Sequence, residues 1–150
     1  MAGVANWFSA AIHSLGVAPD YAVTLEVPGR RSGRTIRVPL VMAVVEGERY
    51  LVSMLGAEAN WVRNVEAAGG NVTIRHGRRE QVHLEEVPAD QRAPILKAYL
   101  LRAPGARPHV AVHKDAPLSE FERVAAQYPV FRVVPENAGR DASQKLVNEP

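Results

Sequence analysis

Apolar and polar residues alternate over several short stretches of the chain, a period typical of strands with one buried face. In the first stretch Val23, Leu25 and Val27 alternate with small or polar residues, and Val82 and Leu84 repeat the pattern later. Turn residues separate these stretches. We therefore predict six strands, at Tyr21–Val27, Thr35–Val45, Arg49–Ser53, Asn71–His76, Arg79–Val87 and Val130–Val134.

Four other segments are predicted to be helical. Residues 4–15 predict an N-terminal helix, and the face shared by Ala57 and Trp61 predicts a second helix that ends at Gly69. The other two helical segments run from Pro88 to about Arg102, interrupted by Pro94, and from Ser119 to about Gln127.

The order of these elements indicates the fold class. The strands come in hairpins and do not follow the strand–helix–strand rhythm of a parallel sheet. We predict an α+β fold, a barrel of about six mainly antiparallel strands with flanking helices. Residues 1–134 form one predicted domain, and the polar segment 135–150 is a predicted disordered tail. Pro39 lies inside the second strand and cannot donate a ladder hydrogen bond, which favours an edge or a bulge there.

Composition excludes several functional classes. The 150 residues include no cysteine, so disulfides and thiolate metal sites are absent, and a reducing cytoplasm is expected. No apolar run is long enough to span a membrane. The net charge of +2 and an aromatic content of 6% argue against a nucleic-acid surface. The N-terminal helix lacks lysine and arginine, so packing on its own domain is favoured over membrane contact.

The segment from Pro28 to Arg37 concentrates cationic chemistry. It contains four arginines and no acidic residue between two predicted strands. Its two glycines suit a tight turn, and an arginine fork matches the oxygens of a phosphate or carboxylate. The segment is interpreted as an anion-binding turn; the alternative is a solvated hairpin tip.

A second feature follows the third predicted strand. Leu55 and Gly56 precede the predicted helix that begins at Ala57. The start of a helix directs free backbone N–H groups at whatever lies before it. An anion could then be held between this helix and the pair Arg30 and Arg31.

Together these motifs resemble a known family. Gly29-Arg30-Arg31-Ser32-Gly33-Arg34 is followed by Val38-Pro39-Leu40, then by Ser53, and then by Gly56 with Asn60-Trp61 and Asn64. This order resembles the deazaflavin-dependent nitroreductase family of actinobacteria, FMN-binding split-barrel-like proteins that use coenzyme F420. The resemblance extends from about Tyr21 to Val134.

The resemblance implies a set of cofactor-binding residues from the arginine turn, the next strand and the predicted helix. They are Arg30, Arg31, Ser32, Gly33, Arg37, Val38, Pro39, Leu40, Ser53, Met54, Leu55, Gly56, Asn60, Trp61 and Asn64. The turn would hold the phosphate and acidic tail, and the strand would lie along the ring. Ser53 is the implied catalytic residue. Met54 stands where family members often have lysine, so one cationic contact is missing.

The leading hypothesis is an F420H2-dependent reductase that transfers a hydride to a small electrophile such as a quinone, an enone or a nitroaromatic. One alternative keeps the barrel and uses FMN. The other alternative is a non-catalytic protein that binds a deazaflavin, haem or a fatty acid. His109 and His113 are four residues apart, but no metal site is predicted from them. The oligomeric state is not predicted.

Overall fold

A computed structural model describes residues 21–136. The strands are β1 (Ala22–Pro28), β2 (Thr35–Val45), β3 (Glu48–Val52), β4 (Asn71–His76), β5 (Arg78–Glu86) and β6 (Val130–Pro135). All six predicted strands are confirmed, and β2 and β4 have the predicted bounds. The predicted N-terminal helix at 4–15 lies outside the described residues, as does segment 137–150 of the predicted tail. Pro135 itself is not part of a tail, because it pairs with Val82 in the barrel.

The helices are α1 (Asn60–Ala67), α2 (Ala93–Arg102) and α3 (Leu118–Val124). Three short 3-10 segments, Ala89–Gln91, Pro104–His109 and Ala125–Gln127, lie before, between and after α2 and α3. The predicted helical region is interrupted at Arg92 and not at Pro94, which lies in the first turn of α2. A proline fits there because the first N–H groups of a helix have no partner within the helix.

The six strands close into an antiparallel barrel in the order β1-β2-β3-β6-β5-β4. The predicted fold class is therefore confirmed. The last strand, β6, lies between β3 and β5 and pairs with both. Closure is completed where β1 pairs with β4, for example through Leu25 and Ile74.

Strand β2 has an incomplete set of neighbours. It pairs with β1 from Thr35 to Val41, but with β3 only from Met42 to Val45. Its first half, which contains Pro39, therefore has one paired neighbour, in agreement with the edge position predicted for this proline. The mostly apolar sequence of β2 predicts burial on both faces, but its first three residues are exposed.

Apolar side chains form two separate clusters. One fills the barrel interior, where Leu25, Leu51 and Ile74 are almost inaccessible, and Trp61 and Val65 of α1 pack against it. The other lies outside the barrel, between the outer faces of β2 and β3 and the helices α2 and α3. Helix α1 is thereby held against the barrel core beside β1. Within residues 21–136 no helix is long and apolar enough to cross a membrane.

Candidate active site

The turn between β1 and β2 is closed by its own backbone. The N–H of Gly29 donates to the carbonyl of Arg34 at 2.8 Å, and the N–H of Gly33 donates to the carbonyl of Gly29 at 2.9 Å. Gly33 has φ +72°, a conformation that favours glycine. The Ser32 hydroxyl accepts a hydrogen bond from the Arg34 N–H at 3.2 Å. Ser32 and Gly33 therefore shape the turn.

Arg30 connects this turn to α1. Its backbone N–H and its Nη1 both donate to the Asn64 Oδ1, at 3.1 and 2.9 Å. Its Nη2 donates to the Asn60 Oδ1 at 3.4 Å. Asn64 is only 2% exposed. Because Asn60 and Asn64 are four residues apart, they lie on one face of the helix and hold the guanidinium together.

A groove of about 300 Å³ lies between the turn and α1. Apolar side chains of Ile36, Val38 and Trp61 line part of it. Ile36 and Val38 share a face of β2 because side chains alternate along a strand. The Trp61 ring is held edge-to-face against Phe131, with centroids 5.8 Å apart. The groove thus presents a fixed apolar surface.

The rest of the groove lining is polar or cationic, and none of its residues is acidic. It consists of Gly29, Arg30, Arg31, Ser32, Asn60 and Asn64. The Arg31 side chain has no hydrogen-bond or ion-pair partner within residues 21–136. An apolar surface beside an uncompensated cationic rim suits a planar ring system that carries an anionic arm.

The family comparison agrees with this arrangement. The model of the F420H(2)-dependent quinone reductase family matches residues 11–117. The chain belongs to this family. It is therefore an oxidoreductase whose cofactor is coenzyme F420, and the resemblance seen in the sequence is confirmed. A comparison with curated proteins gave no match.

Solved structures share the fold of this F420H2-dependent quinone reductase family member. An F420-H2 dependent reductase, FDR-A, is 22% identical, with a TM-score of 0.50 over 75% of this chain and 93% of the other. The conserved hypothetical protein Rv2991 from Mycobacterium tuberculosis is 13% identical, with a TM-score of 0.51 over 85% and 79%. A heme binding protein from Mycobacterium smegmatis is 14% identical, with a TM-score of 0.52 over 83% and 50%. At these identities the likeness concerns the fold alone.

Seven of the residues that the family resemblance implied lie around this one groove: Arg30, Arg31, Ser32, Val38, Asn60, Trp61 and Asn64. Their chemistry fits a deazaflavin, because the apolar residues can contact a ring and the arginines can bind phosphate or carboxylate oxygens. Two lining residues, Gly29 and Ile36, were missed. Ile36 could have been predicted, because it is apolar, lies on the same face of the strand as Val38 and is next to the arginine turn.

Arg37 lies on a different face of the reductase. It is one residue out of phase with Ile36 and Val38, so strand alternation turns it toward Glu26, with Nε 3.4 Å from the carboxylate. Arg79 contacts the same carboxylate at 3.0 Å. Both arginines line a separate cleft of about 630 Å³ that also contains Glu136. The implied contact of Arg37 with the groove anion is not supported by this placement.

The next two implied residues of β2 belong to opposite faces of the barrel wall. Leu40 is 8% exposed and packs in the barrel interior. Pro39 is half-buried on the Arg37 side of the strand, opposite Thr24 of β1. Only Val38 of this tripeptide therefore lines the groove.

The turn after β3 is folded differently from the sequence prediction. Helix α1 begins at Asn60 and not at Ala57, so Leu55 and Gly56 lie in a separate turn. The Ser53 hydroxyl is 1% exposed and donates to the carbonyl of Gly56 at 2.6 Å. This placement does not support a catalytic role for Ser53, because its hydroxyl is buried and already bonded.

The neighbours of Ser53 are equally separate from the groove lining. Met54 packs against the outer apolar cluster, and Leu55 is 63% exposed. The Gly56 N–H donates back to the Ser53 carbonyl at 3.3 Å, so it is not a free donor. Gly56 therefore offers no free N–H to an anion in this arrangement, and the contact implied for the Leu55 N–H stays a prediction.

The two histidines of the long loop lie near the surface. The His113 Nδ1 accepts a hydrogen bond from the Asp115 N–H at 3.2 Å, and His109 ends a 3-10 segment. Among residues 21–136 no three His, Asp or Glu side chains are grouped so that they could hold a metal ion.

Proposed function

We propose that the groove between the arginine turn and α1 holds F420H2, and that the enzyme reduces a quinone or a related planar electrophile there. The observation that carries this proposal is the cationic rim beside an apolar surface, with no acidic residue in the lining. An anionic arm of the cofactor would contact Arg30 and Arg31. Its ring would lie against Ile36, Val38 and Trp61.

The bound cofactor supplies the hydride for the reduction. The protein residues supply binding and orientation. Arg30 is held by two asparagines and offers fixed donors for an anion, whereas Arg31 can move to complete the contact. The apolar side chains exclude water from one side of the ring.

Quinones, enones and nitroaromatics share a planar, electron-poor framework that could stack in such a groove. The family name supports quinones first. No side chain of the groove lining is a carboxylic acid or a histidine, so a proton for the reduced product would come from solvent. This favours acceptors whose reduced form is stable without a neighbouring acid, as a hydroquinone anion is.

A titration tests cofactor binding first. Quenching of tryptophan fluorescence, to which Trp61 contributes, is measured with oxidised F420, and with FMN at the same salt concentration. Tight binding of F420 with weak binding of FMN is expected. A preference for FMN, or no binding of either, would contradict the proposal. Tight F420 binding without F420H2 oxidation by any quinone, enone or nitroaromatic would instead indicate the non-catalytic alternative.

Arg31→Ala is expected to weaken F420 binding by about 1.5–3 kcal/mol, the value of a charge-assisted hydrogen bond to phosphate. Arg31 has no intramolecular partner within the described residues, so the fold should be unaffected. The measurement is the dissociation constant from the same titration.

Arg34→Ala is the matched control for this variant. Arg34 belongs to the same turn and is exposed, but it does not line the groove. Its replacement removes the same charge and should change the dissociation constant far less. Equal losses for the two variants would mean that the turn acts only through its net charge.

A further inference from the structure

Within residues 21–136, half of the fourteen arginines are paired with a carboxylate. Seven of them lie within ion-pair distance of a glutamate: Arg37, Arg49, Arg63, Arg79, Arg92, Arg123 and Arg132. Arg30 differs, because its guanidinium is held by the side-chain amides of Asn60 and Asn64. An amide oxygen accepts the hydrogen bonds but carries no net charge.

The burial and hydrogen bonds of Asn64 show why an amide at this position, in place of a carboxylate, matters for the charge of Arg30. The Asn64 side chain is 2% exposed and accepts two hydrogen bonds from Arg30. An aspartate at this position would form a stronger pair with the arginine. Aspartate has the same shape and the same acceptor atom. It would also cancel the charge that the groove presents.

We propose that Asn64 is a positioning and specificity-determining residue: with Asn60 it orients Arg30 through neutral hydrogen bonds and so keeps its full charge available to the anionic part of the ligand. This inference rests on the proposed function of the groove. It adds that the site selects ligands carrying a phosphate or carboxylate over neutral ring compounds, and that this selectivity depends on the absence of charge at positions 60 and 64.

The two hydrogen bonds to the Asn64 Oδ1 have separate effects. The bond from the Arg30 backbone N–H fixes the turn against α1. The bond from Nη1 fixes the plane of the guanidinium. Substitution by aspartate preserves the oxygen that accepts both bonds, so it changes the charge beside Arg30 while keeping these two hydrogen bonds.

The test is Asn64→Asp. F420 should bind at least about tenfold more weakly, because part of the interaction of Arg30 with the anion is lost. The chromophore fragment of F420, which lacks the phosphate and the acidic tail, should bind nearly as it does to the wild type. The KM for F420H2 should rise while kcat changes little. The melting temperature should fall little or rise, since the new carboxylate is paired.

Asn71→Asp is the charge control. Asn71 is exposed on β4 and lies outside the groove, so this variant changes the net charge equally. Its effect on F420 binding should be small and should disappear at high salt. The Asn64→Asp loss should persist there, because the new carboxylate would lie at a position that is only 2% exposed. Wild-type affinity for F420 in Asn64→Asp would overturn the inference.

A second variant covers the case in which Asn64→Asp does not fold. Asn60 is exposed, so Asn60→Asp should fold and should weaken F420 binding about two- to fivefold, the value of an exposed pair. Unchanged affinity in that variant would also overturn the inference.

Failure of the proposed function has a distinct signature. If wild-type protein does not bind F420, the function is wrong, and inorganic phosphate becomes the probe. The role proposed for Asn64 then predicts that phosphate shifts the Arg30 Nε–H resonance in the wild type and shifts it less in Asn64→Asp. Equal shifts in the two proteins, or none in the wild type, would overturn the inference.

Discussion

Arg92→Met is expected to lower the free energy of unfolding by about 3–5 kcal/mol. Arg92 is 7% exposed and precedes α2. Its Nε donates to the Val87 carbonyl at 2.7 Å, and its Nη1 donates to the carbonyls of Ala125 and Tyr128 at 3.2 and 3.3 Å. Methionine fills much of the same space but removes the donor that Arg92 supplies to the Val87 and Tyr128 carbonyls, whereas the Ala125 carbonyl keeps the Tyr128 N–H. Urea unfolding measures the change.

Arg123→Met is the matched control. Arg123 is an exposed arginine that pairs with Glu120 at 2.8 Å on the surface of α3. Surface ion pairs contribute about 0–1 kcal/mol, so this variant should unfold close to the wild type. If both variants change stability by the same small amount, then Arg92 does not hold the loops around α2 and β6 together.

Gly70→Ala is expected to destabilise through two separate effects. Gly70 has φ +85°, which costs a residue with a side chain about 1–2 kcal/mol. A Cβ there would also lie 2.6 Å from the Leu84 carbonyl oxygen, a backbone atom that cannot rotate away. Relief of this overlap should cost about 1–3 kcal/mol more. The free energy of unfolding from denaturant titration gives the sum.

Gly77→Ala separates the two effects. Gly77 has φ +76°, and a Cβ there would have no atom within 4 Å. This variant should therefore show only the conformational cost, and the difference between the two variants measures the overlap at Gly70. A difference near zero would mean that the junction between α1 and β4 relaxes without cost.

The strands were predictable because alternation and turn residues mark them locally. The β2 and β4 bounds are as predicted, and the hairpin between β4 and β5 follows from Gly77. Barrel closure itself depends on pairings between distant segments, which no local pattern specifies. The start of α1 was predicted three residues early, since Ala57 happens to fall on the face that continues through Trp61. A small apolar residue fits a turn as well as a helix.

Most of the groove lining was predictable, but only about half of the predicted site residues line the groove. The arginine turn and the Asn60–Asn64 segment are recognisable as motifs, and the structure brings them together through Arg30. Arg37 was grouped with them because it is near in sequence, but strand alternation turns it to the opposite face. Ser53 was selected by resemblance, and its burial depends on the turn to Gly56, which is a tertiary feature. Hydrogen-bond partners of this kind cannot be obtained from residue type and spacing.

The insertion of β6 between β3 and β5 has a consequence for synthesis of the protein. Val52 pairs with Val130, so the wall of the barrel stays open while the 77 intervening residues leave the ribosome. During that interval β3 and β5 each present an unpaired edge, the kind of surface to which other chains add strands. Nascent chains that stall before Val130 should therefore be the form of this protein most prone to aggregate and most dependent on chaperones.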